Sequence, residues 1–244
     1  MSTDYAARMA RLDALAARYA PRLRVALQRD CEAAVAAAEA GASPAVAAAV
    51  AGTRFTRAVL EDLYVASGVA EARLQYDALT TTKAEAPAGL LDVWTSRLRR
   101  FISTEGALSL RGIAAGTRAI VVRVLTQAAE AGQGVAEAAR TLRQQVAELS
   151  QARAVSICRT ELISASNYGS LLGAEATGVK LRKRWIATVG PRTRPTHRAA
   201  DGQRVPLAGT FTVGGAAARY PGDPLLPASE RVRCRCAIGF EPVE

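Results

Sequence analysis

The hydrophobic residues of the first 150 positions recur at helical spacing, whereas those of the last 65 alternate. From Tyr5 onward, apolar side chains return every three or four residues, at positions that include Leu12, Tyr19 and Leu27. That period predicts an amphipathic helix. Pro21 should bend or split this helix, because proline lacks an N–H and its ring clashes with the preceding turn.

Glycine, serine and proline mark the ends of the following helices. Ser43 and Pro44 follow Gly41, so a C-cap, an N-cap and a first-turn proline stand in sequence. A second helix is therefore predicted from Pro44 to about Leu79, with weak points at Gly52 and Gly68. Residues 80–87 predict a linker, and further helices are predicted over 88–104, 106–131, 134–148 and 151–176.

The period changes near residue 179. Residues 179–188 alternate as a strand does, which places Val179, Leu181, Lys183 and Trp185 on one face. Residues 203–213 and 231–240 predict two more strands. The fold class is therefore α+β and predominantly α: elongated Ala-rich helices, then a small module of one helix and a short antiparallel sheet with long loops. The predicted domains are a helical docking and assembly region over 1–150 and a second module over 151–244.

Composition limits the classes of protein. Alanine occurs 53 times, and its small side chain buries little apolar area but permits close helix approach. Elongated helices and a plain helical bundle both fit this content. No apolar run approaches the length of about 20 residues that a membrane span needs, and the charged, periodic first residues are not typical of a secretory signal. Four cysteines are too few for a disulfide framework.

The net charge of +10 is concentrated in the C-terminal module. Residues 180–244 hold 12 basic and 5 acidic side chains, and 29 of the 32 basic residues of the chain are Arg. The module's basic run predicts a surface for non-specific double-stranded DNA or for an acidic partner protein. In that run only Trp185 offers a ring that could stack on a base. The candidate surface residues are Lys180, Arg182, Lys183, Arg184, Arg192 and Arg198.

The same module holds the residues with the most distinctive chemistry. His197 is the one histidine of the chain, and Cys234 and Cys236 form a C-x-C pair. Thiolate and imidazole are ligands that zinc prefers, so these three residues are candidate ligands of a structural zinc, with Asp201 or Cys158 as a fourth. Two alternatives stay open: both cysteines pack in a small core while His197 holds its loop, or the thiols form a disulfide.

The same histidine also raises the question of catalysis. His197 with Asp201 or Asp223 would suit a general base. The chain contains no G-x-S-x-G nucleophile elbow and no phosphate-binding glycine loop. The chain is therefore not predicted to be an enzyme, and no catalytic residue is assigned.

A series of distinctive residues follows in order over roughly residues 150–240: Arg159, Glu161, Asn167, Trp185, Arg194, His197, Asp201, Gly202, Tyr220, Pro221, Gly222, Asp223, Cys234, Arg235 and Cys236. This order resembles the phage Mu F-like head morphogenesis family, the minor head proteins of tailed phages. The chain departs from the family pattern at Arg233, where the family usually has Asn, and at Cys158, where a small residue is more common.

Arg159 and Glu161 lie two apart on a helix and do not face each other, so each holds a neighbouring element or lies solvated. Arg194 and Arg235 are candidates for internal pairing.

This resemblance implies a minor capsid protein that acts in head morphogenesis. The expected location is the virion or procapsid interior near the portal, with the host cytoplasm during assembly. The expected partners are the portal protein, other capsid or scaffold proteins, copies of the chain itself and packaged DNA. A non-specific DNA-binding protein acting in genome packaging or ejection is the first alternative, and a hydrolase with a His197-centred site is the second.

Overall fold

A computed structural model describes residues 5–80, 87–188 and 190–243. The protein is α+β and predominantly helical, which confirms the predicted fold class. Among the described residues, no helix combines the length and hydrophobicity that crossing a membrane requires. The elements are α1 (Tyr5–Asp30), α2 (Glu32–Glu39), α3 (Pro44–Ala49), α4 (Arg54–Leu79), α5 (Leu90–Ser103), α6 (Gly106–Glu130), α7 (Val135–Ala176), β1 (Leu181–Ile186), α8 (Pro195–Ala200), β2 (Arg204–Pro206), β3 (Phe211–Val213), β4 (Ala216–Ala218), α9 (Ala228–Arg231) and β5 (Ala237–Pro242).

The chain forms two compact units, each assembled from separate stretches of sequence. Unit 1 combines Met1–Ala17, Glu61–Gly106 and Ser156–Glu244, and unit 2 combines Arg18–Leu60 with Ala107–Val155. These units do not coincide with a division at residue 150. The separation into a docking region over 1–150 and a module over 151–244 therefore remains a prediction about function.

Several helix boundaries differ from the predicted ones. Helix α1 continues through Pro21 without splitting. Tyr19 and Leu23, on either side of the proline, are 3% and 0% exposed, and such packing supplies most helical stability in proteins. Helix α7 runs unbroken where two helices were predicted, and its Ser150 donates to the carbonyl of Val146. Most of the linker predicted over 80–87 lies outside the described residues.

The predicted helix from Pro44 to Leu79 divides into α3 and α4 near Gly52, one of its two expected weak points. The Gly52 N–H donates to the carbonyl of Asp30 at 2.9 Å. The Asp30 carboxylate accepts from the N–H groups of Phe55 and Thr56, both at 2.9 Å. Asp30 therefore satisfies donors that the first turn of α4 would otherwise leave unpaired.

The core of unit 2 is built from alanine and small aliphatic residues. Ala34, Ala47, Val121 and Leu142 are each fully buried in one cluster. Small side chains let the helices of this unit approach closely. The Ala-rich composition therefore forms a packed core here.

In unit 1, glycines bring α4 and α7 into main-chain contact. A methyl group added at Gly169 would lie 2.7 Å from Gly68 Cα and 2.8 Å from its carbonyl carbon. A methyl group added at Gly173 would lie 2.9 Å from the carbonyl carbon of Ala72. All three distances are too short for a real Cβ, so only glycine fits at these two positions of α7.

Two small antiparallel sheets complete unit 1. One has the order β2-β1-β5, and the other is the hairpin β3-β4. Strand β1 pairs along its whole length with β5, from Leu181 opposite Pro242 to Ile186 opposite Ala237. Its buried face carries Leu181, Lys183 and Trp185, in the alternation that the sequence predicts.

The cysteine pair does not lie in a strand. The predicted strand 231–240 begins instead with the end of the short helix α9, and the extended part starts at Ala237. Arg233 has a φ of +60°, which is incompatible with extended backbone. Cys234 and Cys236 therefore occupy the turn that leads into β5.

Candidate metal centre and its supporting polar network

Three side chains that can ligate metal meet in the C-terminal module. His197 Nδ1 lies 3.2 Å from Cys236 Sγ and 3.6 Å from Cys234 Sγ. The three ligand atoms all lie within 4.8 Å of one another, and each side chain is buried. Among the described residues, this is the one group of three or more His, Cys, Asp or Glu side chains arranged to hold a metal ion. The structure thus brings together all three ligands proposed from the sequence.

Short local contacts hold the two segments that carry these ligands. Pro195 begins α8, and the preceding Arg194 occupies the N-cap position. The Arg194 guanidinium donates to the carbonyl of Val232 at 2.6 Å. This bond ties the start of the histidine helix to the turn that carries the cysteines.

The far side of the imidazole faces a carboxylate. His197 Nε2 lies 3.1 Å from Glu230 Oε2, an ion-pair distance, although no well-directed hydrogen bond joins the two atoms. The same Glu230 oxygen accepts from Thr196 Oγ1 at 2.7 Å. Burial acts to lower the pKa of His197, but the hydrogen bond and charge of Cys236, with help from Glu230, outweigh it and raise that pKa.

The two thiols have different environments. The Cys236 N–H donates to Cys234 Sγ at 3.3 Å. Interaction with Cys234 lowers the pKa of the Cys236 thiol against the effect of burial, and His197 and the backbone of Thr188 lower it further. The interaction with Cys236 and burial both raise the pKa of Cys234. Cys236 is therefore the thiol that ionises first.

Neither candidate for a fourth ligand reaches the group. Asp201 is exposed, and its Oδ1 accepts from the N–H of Ala187 at 2.8 Å. Cys158 is fully buried on α7, where its Sγ lies 3.9 Å from the carbonyl oxygen of Ala16. Burial raises the pKa of Cys158 to about 12. Asp201 instead forms a turn with Gly202, whose N–H donates to the carbonyl of Trp185 at 2.9 Å.

Trp185 lies beside the group in the core. It is 0% exposed, and it packs edge to face against His197 and Phe211, with ring centroids 5.8 Å and 5.4 Å apart. The proposed stacking of Trp185 on a nucleic-acid base is therefore wrong for this conformation, because no face of the indole reaches solvent. Its indole N–H is buried without a hydrogen-bond partner.

Asn167 on α7 forms hydrogen bonds to two separate segments of the C-terminal module. Its amide nitrogen donates to the carbonyls of Pro221 and Cys236 at 2.9 Å and 3.1 Å. Its Oδ1 accepts from the Ile238 N–H at 3.0 Å and from the Arg8 guanidinium at 2.9 Å. All four hydrogen bonds of the amide are thus made. One side chain fixes the Tyr220–Asp223 loop and the start of β5 against α7.

Glu161, also on α7, makes a second set of buried hydrogen bonds besides those of Asn167. One of its oxygens accepts from Arg231 at 2.6 Å and the other from the Tyr64 hydroxyl at 2.8 Å. Arg159, two residues earlier, is exposed and lies 3.9 Å from Asp13. Glu161 therefore holds α9 to α7, whereas Arg159 lies on the solvated face of the helix.

The loop Tyr220-Pro221-Gly222-Asp223 is fixed by charge and close packing. The fully buried Asp223 carboxylate accepts from the backbone and guanidinium of Arg219 and from the Leu225 N–H. Gly222 has a φ of +85°, and a methyl group there would lie 3.1 Å from the backbone of Ser164. Arg219 also pairs with Glu105.

The candidate basic surface is only partly as predicted. Arg182, Arg184 and Arg204 converge on Glu241, with N···O distances of 3.0 Å, 3.5 Å and 2.9 Å. The side chain of Arg235 is exposed, and its backbone carbonyl makes the internal contacts, with Thr188 and Tyr5. The exposed members of the predicted set are Lys180, Arg182, Arg192 and Arg198.

Lys183 does not belong to this surface. It is 1% exposed, and its ammonium lies 5.6 Å from the centroid of the Phe211 ring. Burial lowers the pKa of Lys183 to about 8. Lys183 is buried because it lies on the inward face of β1, as the alternation in the sequence predicts.

Comparison with known proteins identifies the module. The family described as phage Mu protein F like protein matches residues 119–239. Over these residues, the chain belongs to the Mu F-like family. The match begins in α6, earlier than the motifs that start near residue 150. No solved structure matches the chain.

Three curated proteins share sequence with the chain. Minor head protein GP7 of Bacillus phage SPP1 is 30% identical over 121 residues, 48% of this chain and 39% of that protein. NAD(+)–arginine ADP-ribosyltransferase EFV of Enterococcus faecalis is 35% identical over 108 residues, 43% of this chain and 22% of that protein. The uncharacterized YqbB of Bacillus subtilis is 29% identical over 127 residues, 50% of this chain and 41% of that protein. The matches thus span less than half of each relative.

Arg233 departs from the Mu F-like pattern at a position where the backbone conformation disfavours most side chains. The residue lies in the left-handed region, which costs an ordinary side chain about 1–2 kcal/mol and is tolerated best by Gly and Asn. Asn, the usual Mu F-like residue here, suits this backbone better than Arg does.

Sequence reasoning missed two contributors to the site. Glu230 looked like an ordinary charge of a short polar helix, yet it faces His197. Arg8 is 1% exposed and lies on α1, far from the module in sequence. No local pattern distinguishes either residue, because each depends on a partner in another segment.

Proposed function

We propose that this chain is a minor head protein that acts in the head morphogenesis of a tailed phage or a phage-derived particle. The Mu F-like match over 119–239 carries this proposal, and the relative named minor head protein GP7 supports it. The chain would then lie in the virion or procapsid, with assembly taking place in the host cytoplasm.

The proposed role is structural rather than catalytic. His197 is 2% exposed, and its two ring nitrogens face Cys236 and Glu230, so a hydrolase centred on it lacks an approach for substrate. The match to the relative named as an ADP-ribosyltransferase covers 22% of that protein, so its activity is not proposed for this chain. The buried contacts of Asn167, Glu161 and Asp223 suit a rigid module that presents a surface to other proteins.

The proposed partners are the portal protein at the portal vertex, other capsid or scaffold proteins and copies of the chain. Residues 1–150 would supply the docking helices. Exposed apolar residues support this assignment, among them Val46 in α3 and Val50 at its C-terminal end, which are 56% and 48% exposed. Such side chains in a small surface region suit a protein contact.

Co-purification with the portal protein tests the proposal. The tagged chain is produced with the portal protein of the same particle or with its major capsid protein, and bound protein is measured after washing. We expect retention of the portal protein, and a Val46→Glu, Val50→Glu variant should lose it while an exposed Val135→Glu variant should not. A folded chain that retains no head protein contradicts the proposed function.

Contact with packaged DNA is a second candidate function, favoured by the exposed Lys180, Arg182, Arg192 and Arg198. Phosphate contacts by such residues give affinity that falls with salt, with a log–log slope of about −3 to −4 for four contacts. Filter binding to random duplex DNA measures this slope. An Arg192→Glu, Arg198→Glu variant should bind more weakly, and absence of binding by the parent chain even at low salt removes the DNA function.

A further inference from the structure

The buried group of His197, Cys234 and Cys236 has a geometry that a packed core does not require. The histidine lies 37 and 39 residues before the two cysteines, so two distant segments supply one cluster. Burial of an imidazole and a neighbouring carboxylate is costly unless each polar group has a partner. His197 Nε2 has no well-directed hydrogen bond here, and its Nδ1 points between two sulfur atoms.

The distances between ligand atoms match those around a tetrahedral zinc ion. With Zn–S bonds of about 2.3 Å and Zn–N bonds of about 2.0–2.1 Å, tetrahedral angles place nitrogen and sulfur about 3.5 Å apart. The two observed separations from His197 Nδ1 are 3.2 Å and 3.6 Å. A mixed thiolate and imidazole set of this kind favours zinc over the hard cations Mg²⁺ and Ca²⁺.

The surroundings of the group resemble the outer shell of a zinc site. Zinc-bound histidines usually direct the other ring nitrogen toward a carboxylate, which fixes the ring and its tautomer. Glu230 Oε2 lies 3.1 Å from His197 Nε2, and the Thr196 hydroxyl donates to the same oxygen at 2.7 Å. The backbone N–H of Cys236 donates to Cys234 Sγ, which stabilises negative charge on that sulfur.

We propose that His197 Nδ1, Cys234 Sγ and Cys236 Sγ bind one Zn²⁺ ion, with Glu230 as the positioning residue of the imidazole. Binding displaces one proton from each thiol to solvent, and the neutral imidazole keeps its proton on Nε2, toward Glu230. A water molecule completes the coordination, since the described residues supply three ligands. The ion links α8 to the start of β5, and its role is structural. This site goes beyond the proposed head protein function and does not depend on it.

Metal content of the full chain, purified without chelators, is the first measurement. We expect about one zinc per chain by elemental mass spectrometry, and a loss of more than tenfold in the Cys236→Ser and His197→Ala variants. Cys158→Ser is the matched control, because that buried thiol lies 3.9 Å from a carbonyl oxygen of α1 and outside the group. This variant should keep the full zinc content.

A second measurement does not depend on the folding of ligand variants. The parent chain is stripped of metal and titrated with Zn²⁺ or Co²⁺. We expect a rise in the midpoint of thermal unfolding that saturates at one equivalent of Zn²⁺, and thiolate-to-cobalt charge-transfer absorption with Co²⁺. A folded parent chain that contains no metal, shows no rise and develops no such absorption overturns the site. A disulfide between Cys234 and Cys236, detected as loss of two free thiols in the purified chain, overturns it as well.

Glu230→Gln tests the positioning residue separately. The amide keeps the size of the carboxylate and can still accept from Thr196, but it removes the charge that faces His197. We expect one zinc per chain with an affinity lowered about 10–100-fold, measured by competition with a coloured chelator. An unchanged affinity refutes the role of Glu230.

Discussion

Replacement of Gly169 by alanine should destabilise the protein strongly, although alanine is the better helix former. The added methyl group would lie 2.7 Å from Gly68 Cα and 2.8 Å from its carbonyl carbon. Non-bonded carbon atoms normally lie about 3.5–4.0 Å apart, so α4 and α7 must separate by about 1 Å. The obstructing atoms belong to the main chain, and no side-chain rotation can relieve the clash.

The size of the effect follows from two opposing contributions. Overpacking of a close contact costs about 1–3 kcal/mol, and a main-chain clash belongs near the upper end. Alanine recovers about 0.5–1 kcal/mol of helix propensity and backbone entropy. The net loss in unfolding free energy is therefore about 2 kcal/mol, which lowers the melting temperature of a chain of this length by about 4–8 °C.

Calorimetry and tryptophan fluorescence measure this loss, since Trp94 and Trp185 both lie in unit 1. Gly112→Ala is the matched control, because nothing lies within 4 Å of a methyl group at this exposed position inside α6. We expect this variant to gain about 0.5–1 kcal/mol in stability. A Gly169→Ala chain as stable as the parent, or more stable, would refute the close approach of α4 and α7.

Three further predictions concern buried charge and backbone strain. Arg231→Met leaves the Glu161 carboxylate buried without its cation and should cost about 3–5 kcal/mol in urea unfolding, whereas adding Glu161→Gln should recover much of that loss. The lowered pKa of Lys183, about 8, means that the unfolded chain binds more protons than the folded chain between about pH 8 and 10.5. Stability should therefore rise by about 2 kcal/mol between pH 7 and 9.5, and a Lys183→Met chain that shows the same rise would contradict this assignment. Arg233→Asn should stabilise the chain by about 0.5–1 kcal/mol, because Asn tolerates the left-handed backbone better; no gain in thermal unfolding would count against that strain.

Local sequence patterns predicted the parts of the fold that depend on near neighbours. The alternation around Leu181 and Trp185 predicted β1, and helical spacing predicted most of the helices. Two errors came from reading a residue type alone: Pro21 does not split α1, and the charge of Lys183 does not place it at the surface. In both cases packing against distant segments outweighs the local preference.

The sequence predicted the ligands of the candidate metal centre, but not their backbone geometry or the contact with Glu230. The ligand types and the C-x-C spacing identified His197, Cys234 and Cys236 as a group, because zinc chemistry restricts which side chains can serve. The expected strand geometry was wrong, since the cysteines lie in a turn that the left-handed Arg233 creates. The contact with Glu230 could not be predicted, because any of several acidic residues in the module could have faced the imidazole.

The buried guanidinium of Arg8 joins α1 to the C-terminal half of α7. Arg8 donates to Ser166 Oγ at 2.7 Å and to Asn167 Oδ1 at 2.9 Å. Asn167 uses its remaining capacity to hold the Tyr220–Asp223 loop and the start of β5. Without α1, that amide oxygen would lose its charged donor inside the core and keep only the N–H of Ile238. A residue of α1, more than 150 positions before Ser166 and Asn167, therefore completes the hydrogen-bond network around Asn167.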